Sequence, residues 1–257
     1  MRKFGILLAL VLSFWINEVM ALQISQKFMV EVGVFDAAEV KLNYNENNEE
    51  YDISAEVKTA NFFGSVYPFL GIYEATGINQ KNGVKPVVYK NQTKSRNHKR
   101  TKTIFYNDDG VAYKRVSSKD ERKNEVLIKD VPLSADAADL QTVLAEMFKN
   151  VIKNRDCKLN REIYDGKKHY KFIAKNEGLE NRWFSHIKKN ENAYKCSFYI
   201  ENLKENNDNI LWDISAQTPI NVWFGVDNKD NLPKILEIKI DSTPLGAVQV
   251  TPSNSKN

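Results

Sequence analysis

The stretch REIYDGKKHYKF, residues 161–172, decides between two readings of the chain. It puts Glu162, Asp165 and His169 within eight residues, the ingredients of an acid–base site. It also sets Asp-Gly between two alternating runs, a strong two-residue hairpin signal because a type I′ turn needs positive φ at both central positions. A register set by that turn opposes Ile163 to Lys168, Glu162 to His169 and Arg161 to Tyr170. Leu159, Ile163, Tyr170 and Phe172 then share one face, and Asn160, Glu162, His169 and Lys171 share a wetter one. A one-residue slip would exchange the faces. Glu162 and His169 are therefore expected as a cross-strand pair, worth a few tenths to about 1 kcal/mol. Catalysis would need a nucleophile or metal and an oxyanion donor beside them, and the sequence offers neither. No catalytic residue is assigned.

The same period-two pattern runs outward in both directions. KFMVEVGVF and AEVKLNY alternate, with a break expected at Asp36, and YDISAEVKT follows the polar turn NENNEE. VKPVVYKNQTKSR and KRTKTIFYN join at Asn97-His98, and DDG leads into VAYKRVSS. Alternation bounded by Asn, Asp and Gly marks half-buried antiparallel strands. Further strands are expected at 159–164, 167–174, 193–203, 221–226, 233–241 and 245–251, with DNKDN and STPLG as the last turns. SADAADLQTVLAEMFKNVIKN breaks the rhythm. Leu140, Val143, Leu144, Met147, Phe148 and Val151 recur at steps of three and four, one face of a helix expected over 136–153. Ser134 or Asp136 is the expected cap. The fold expected is mainly β, a large curved antiparallel sheet or partial barrel with one main helix.

The chain opens MRKFGILLALVLSFWINEVMALQIS. Arg2 and Lys3 precede an apolar run, and Val19 and Ala21 sit at leader-peptidase spacing, so residues 1–21 read as a secretory signal peptide. The run is short for a membrane span. Residues 22–257 then form a single β-rich domain, exported to the periplasm. Net charge is +4, which does not point to nucleic acid. Cys157 and Cys196, an even count in an exported chain, are expected to pair. No metal site and no cofactor are expected. The chain lacks a Gly-rich phosphate loop, G-x-S-x-G, H-E-x-x-H and Cys-x-x-Cys.

Two stretches carry binding readings. KNQTKSRNHKRTK, residues 90–102, supplies Lys94, Arg96, Lys99, Arg100 and Lys102 as a patch for anionic headgroups or a membrane surface; the plain reading is a solvated hairpin tip. NFFGSVYPFLGIYEATG, residues 61–77, crowds Phe62, Phe63, Tyr67, Phe69 and Tyr73 around Gly and Pro, which suits the lip of an apolar pocket. Leu144, Met147 and Phe148 of the helix would form its opposite wall, with Met147 able to repack. The plain reading is that all eight are core.

The segments FMVEVGVFDAAEVKLNY, VYPFLGIYEATG, VKPVVYKNQTKSRNHKRTKTIFYND, CKLNREIYDGKKHYKF with the later YKC, and INVWFGVDNKDNLPKILEIKIDSTPLGAVQV occur in an order that resembles the exported bacterial family called domain of unknown function 3108. The resemblance spans roughly residues 27–251. It implies a periplasmic protein with no established activity, similar in architecture to the lipoprotein carriers LolA and LolB, whose curved sheet encloses an apolar cavity. Lys167, Lys168 and His169 stand where that family is rich in arginine, so a role built on bidentate Arg contacts does not carry over. The function expected is a non-enzymatic, soluble cell-envelope protein that binds an apolar or lipid-like ligand or an envelope partner. The alternative is a scaffold that recognises a protein surface without a cavity, and an envelope enzyme ranks third.

Overall fold

A computed structural model describes residues 22–81, 83–128, 137–166, 168–203, 216–226 and 232–253. The expected signal peptide 1–21, the expected caps Ser134 and Asp136 and the expected turn 227–231 lie outside them.

Among the described residues fourteen strands form one antiparallel sheet. In chain order they are β1 (Leu22–Val32), β2 (Phe35–Glu46), β3 (Glu50–Thr59), β4 (Phe69–Gln80), β5 (Gly83–Ser95), β6 (Lys99–Tyr106), β7 (Ala112–Lys119) and β8 (Arg122–Leu127), then β9 (Leu159–Tyr164), β10 (His169–Phe184), β11 (Lys189–Asn202), β12 (Ile220–Val226), β13 (Pro233–Ile240) and β14 (Val248–Pro252). Each strand pairs with its sequence neighbour, except that β8 and β9 are the two edges and do not pair, and β1 pairs with β14. The sheet order therefore runs from β8 through β1 to β14 and on to β9. The sheet is not closed, but it curls until the β9–β10 turn at one end touches β6 and β7 near the other. Lys102 on β6 donates to the Asp165 carbonyl at 2.5 Å, and Arg115 on β7 donates to the Gly166 carbonyl. Gly166 has φ +89°, and a Cβ there would press on Lys102, Arg115 and Ile104 within 3.0–3.2 Å, so the β9–β10 turn fits only as glycine.

The main helix, α2 (Leu140–Asn154), follows the short α1 (Asn61–Val66) and covers part of the concave face. Its N-cap is Asp139, downstream of the expected Ser134 or Asp136, and its carboxylate accepts from the Thr142 amide at 2.9 Å. Phe148 stacks on Tyr44 of β2 at 5.5 Å and meets Phe224 of β12 edge-on at 6.1 Å, so one ring joins the two halves of the sheet. Lys149 fastens the same helix to the β4–β5 turn through Asn79, Gln80 and Gly83.

Several expectations change. The first break falls at Gly33-Val34, where Gly33 has φ +61°, not at Asp36. β4 crosses the aromatic stretch as a full strand, with Gly77 where any Cβ would strike the Lys85 carbonyl and the Tyr51 ring. β8 is an added strand, and β10 and β11 extend to Phe184 and back.

The 165–168 turn holds four residues rather than two. The Asp165 side chain accepts from the Lys168 amide at 2.7 Å, and Tyr164 pairs with His169. This shift of two keeps the face assignment, and Leu159, Ile163, Tyr170 and Phe172 are all buried. Glu162 lies opposite Lys171, yet its Oε2 still meets His169 Nε2 diagonally at 2.8 Å. His169 is only 8% exposed, so it does not lie on a wet face.

Cys157 and Cys196 form the expected disulfide, with Cα atoms 6.2 Å apart. β10 lies between β9 and β11 in the sheet. The chain before β9 therefore crosses over β10, where Cys157 Sγ lies 3.6 Å from the Lys175 carbonyl, to reach β11.

Candidate functional site

The eight residues expected to wall one pocket divide between two places. Met147 and Phe148 are 2% and 0% exposed, and Leu144 packs half-buried against the same core. Phe62 and Tyr67 stand out in solvent at the opposite extreme, on α1 and just after it. Phe69 and Tyr73 point to the concave face, where their rings lie over Gly71. The helix side of that face is filled by its own side chains.

What the aromatic stretch does build is a rim at one end of the sheet. The β1–β2 turn, α1 and the β13–β14 loop come together there. Gly33 N–H donates to the Ala247 carbonyl at 2.9 Å, Ala60 N–H to the Ala37 carbonyl at 2.9 Å, and Asn61 Nδ2 to Asp36 at 3.0 Å. Phe35 and Phe63 rings meet at 6.5 Å, and Phe63 meets Phe62 at 5.9 Å. Val34, Phe35, Phe62, Tyr67 and Leu245 are each 58–89% exposed. Scattered single apolar residues on a surface are ordinary, but a contiguous set at one pole marks an interaction surface. Val34, Phe35 and Leu245 are absent from the expected set. Their signal is an apolar residue beside a turn glycine, in GVF and PLG, where a plain turn would carry polar residues.

The basic hairpin adjoins this rim, because Arg96 donates to the Ser65 carbonyl of α1 at 3.0 Å. The sheet does not keep its cations together. Lys94 and Lys99 are direct partners on the outer face, whereas Arg100 and Lys102 point inward, opposite Thr93 and Asn91. His98 is held by Asp120 at 2.8 Å, and the Lys99 amide donates to the same carboxylate at 2.9 Å.

The most perturbed titratable cluster is buried under the N-terminus of α2. Desolvation pushes the Asp139 carboxyl up, against hydrogen bonds from the Thr142 amide and hydroxyl and from Tyr106 at 3.0 Å. Burial also drives the Tyr51 and Tyr106 phenols upward, and Tyr51 shares a 2.9 Å hydrogen bond with Thr142. The cluster is a cap and a seat for the helix. Among the described residues no three His, Cys, Asp or Glu side chains gather as metal donors, and no helix is long and apolar enough to cross a membrane.

A groove of about 1360 Å³ lies between α2 and β9–β10. Its charges are mixed, with Glu146, Asp156 and Glu177 set among lysines. One of them, Lys149, is spent on holding the helix.

A family model described as a protein of unknown function, DUF3108, matches residues 27–245. The chain belongs to the DUF3108 family. A crystal structure of a β-barrel-like protein from Brucella abortus, of the domain of unknown function DUF1849, is similar to it with a TM-score of 0.43 and 7% identity. That match covers 90% of this chain and 98% of the Brucella chain. No curated protein matches the sequence.

Proposed function

We propose that this DUF3108 protein is an exported, non-enzymatic component of the cell envelope that docks one end of its sheet onto a lipid surface. The observation that carries the reading is the rim, five large apolar side chains more than half exposed and gathered from three separate segments of the chain. Side chains of this kind bury themselves in the boundary between headgroups and acyl chains, and nearby cations add attraction to anionic lipid. Arg96 and the outward Lys94 and Lys99 supply those cations beside the rim. The Cys157–Cys196 disulfide supports an oxidising compartment. The filled core around Phe148 favours a surface that meets lipid over a cavity that swallows it.

Flotation with vesicles tests the reading. Vesicles of phosphatidylcholine containing phosphatidylglycerol should carry the protein upward, and Phe62→Ser with Tyr67→Ser should release it without changing the melting temperature. Flotation that is indifferent to this pair, or an absence of flotation together with a protein partner captured by the same rim, would give the site to a protein surface instead.

A further inference from the structure

We propose that the inner face of β5–β8 is a binding site for a polyanion bearing two or more phosphoryl groups, soluble or displayed on a lipid headgroup. The proposal is separate from the rim and rests on how the sheet register sorts charge. Arg100 on β6 lies directly opposite Lys119 on β7, and Lys119 lies directly opposite Arg122 on β8. Three cations thus stand in one row across three adjacent strands. Like charges placed directly opposite one another destabilise a sheet, so a row of three is a cost that packing does not explain. With strands about 4.8 Å apart, the row spans about 10 Å.

The neighbouring positions complete a groove of about 500 Å³. Lys102 and Arg115 occupy the same face one and two rungs deeper, where they also hold the β9–β10 turn. Arg115 Nε is buried with no hydrogen-bond partner among the described residues. Asn91, Thr93, Ser117 and Asn124 fill the spaces between the cations, and each offers a neutral hydrogen-bonding group. Among the described residues that line the groove there is no Asp or Glu.

The carboxylates nearest these strands make their hydrogen bonds and ion pairs elsewhere, although the charge of Asp120 is also felt by Lys119. Asp120 is taken by His98 and the Lys99 amide, and Glu125 pairs with Lys114 on the outer face at 2.8 Å. Asp165, at the deep end, lies 3.8 Å from Lys102 and leaves the Arg100–Lys119–Arg122 row without a counter-ion within ion-pair distance among the described residues. Two guanidinium forks with an ammonium between them match phosphoryl oxygens, because Arg binds them bidentately and Lys supplies a point charge. The spread of the row fits two or three linked phosphoryl groups better than one.

The test is calorimetric titration of the purified protein with tripolyphosphate and with orthophosphate, repeated on Lys119→Gln/Arg122→Gln and on Lys94→Gln/Lys99→Gln. Both variants lose two charges, but only the first takes them from the inner row, where it leaves Arg100 alone. Saturable tripolyphosphate binding, stronger than orthophosphate, is expected. The inner pair should weaken it by about a hundredfold, roughly tenfold for each charge-assisted hydrogen-bonded group, and the outer pair by less than about threefold. The inner variant should melt no lower than the parent, because it removes repulsion. Flotation with vesicles containing cardiolipin, whose headgroup links two phosphoryl groups, identifies the source. Dependence on the inner pair in that assay assigns the site to a lipid headgroup, whereas tripolyphosphate binding alone assigns it to a soluble ligand. Failure of the rim reading leaves its own mark, namely vesicle binding indifferent to Phe62→Ser/Tyr67→Ser while the inner pair still governs tripolyphosphate. Equal losses from both lysine-containing pairs, or no inner-pair dependence in either assay, overturn the proposal.

Discussion

The concave face of this sheet is two surfaces in one register. Beneath α2 it presents Tyr44, Ile53, Ile163 and Phe224, all essentially inaccessible and closed over by Val143, Met147 and Phe148. Across β6–β8, at inward-facing positions of other strands of the same sheet, it presents Arg100, Lys119 and Arg122 in a row. Ile104 marks the border, fully buried and directly opposite Arg115. A helix long enough to cover only part of a fourteen-stranded sheet leaves the rest of the inner face to water, and the strands change composition where the cover ends. Stability therefore resides in one half, and the other half is free to carry charge that a core would not tolerate.

Phe148→Ala should break the filled half most severely. Its ring touches both arms of the sheet, and a buried Phe→Ala costs about 3–5 kcal/mol. Denaturant unfolding should show that loss, whereas a loss under about 1 kcal/mol would mean that this half is loosely packed.

Removing the disulfide with Cys157→Ala/Cys196→Ala should cost nearly as much. The bond joins positions 39 residues apart, and the loop-entropy model gives about 4 kcal/mol. Reversible melting of the variant against the oxidised parent measures the difference, and an unchanged melting temperature would place the constraint elsewhere.

Asp139 gives the next effect, and it carries a sign. Burial raises its folded-state pKa above the unfolded value near 3.8. The folded state then binds the proton more tightly than the unfolded state, so this group's contribution is full below about pH 3.8 and is lost as pH rises through the raised folded pKa. The buried Tyr51 and Tyr106 phenols, also shifted upward, stay neutral over this range and add no slope. Asp139→Asn should therefore flatten the acid-side decline, measured as the difference in unfolding free energy between parent and variant from pH 4 to 7. Asp139→Ala, which removes the cap as well, should cost about 1–3 kcal/mol at every pH. A parent that gains stability relative to Asp139→Asn as pH rises would contradict the buried-carboxylate account.

Most strands were legible because alternation is a local signal. The limits of that signal explain what was not. β4 carries Gly71 and Gly77, which depress strand propensity and are tolerated here by close contact with Phe69, Tyr73 and Tyr51. β8, RKNEVL, puts charge on both faces at a sheet edge, so no alternation shows. The Asp165-Gly166 turn was legible as a turn but not in its length, because the Asp165 side chain and the tertiary contacts of Gly166 set that length.

The candidate sites obey the same limit. Residues 90–102 read as one basic patch, yet period two sends Lys94 and Lys99 outward and Arg100 and Lys102 inward. The cations that join Arg100 come from another hairpin, Lys119 and Arg122, and only cross-strand register brings them together. Similarly, Val34 and Leu245 are some two hundred residues apart in sequence and meet at the rim only because β1 pairs with β14.

The division of the inner face is tested most directly by melting the triple variant Arg100→Gln/Lys119→Gln/Arg122→Gln beside the parent at low and at high salt. Removing three like charges from one row should leave the melting temperature unchanged or raise it at low salt. The gain should shrink at high salt, where the Debye length falls to about 3 Å at 1 M. A variant that melts well below the parent at both salt concentrations would show that the three side chains hold the sheet together, and would contradict the separation of a filled, stabilising half from a charged one.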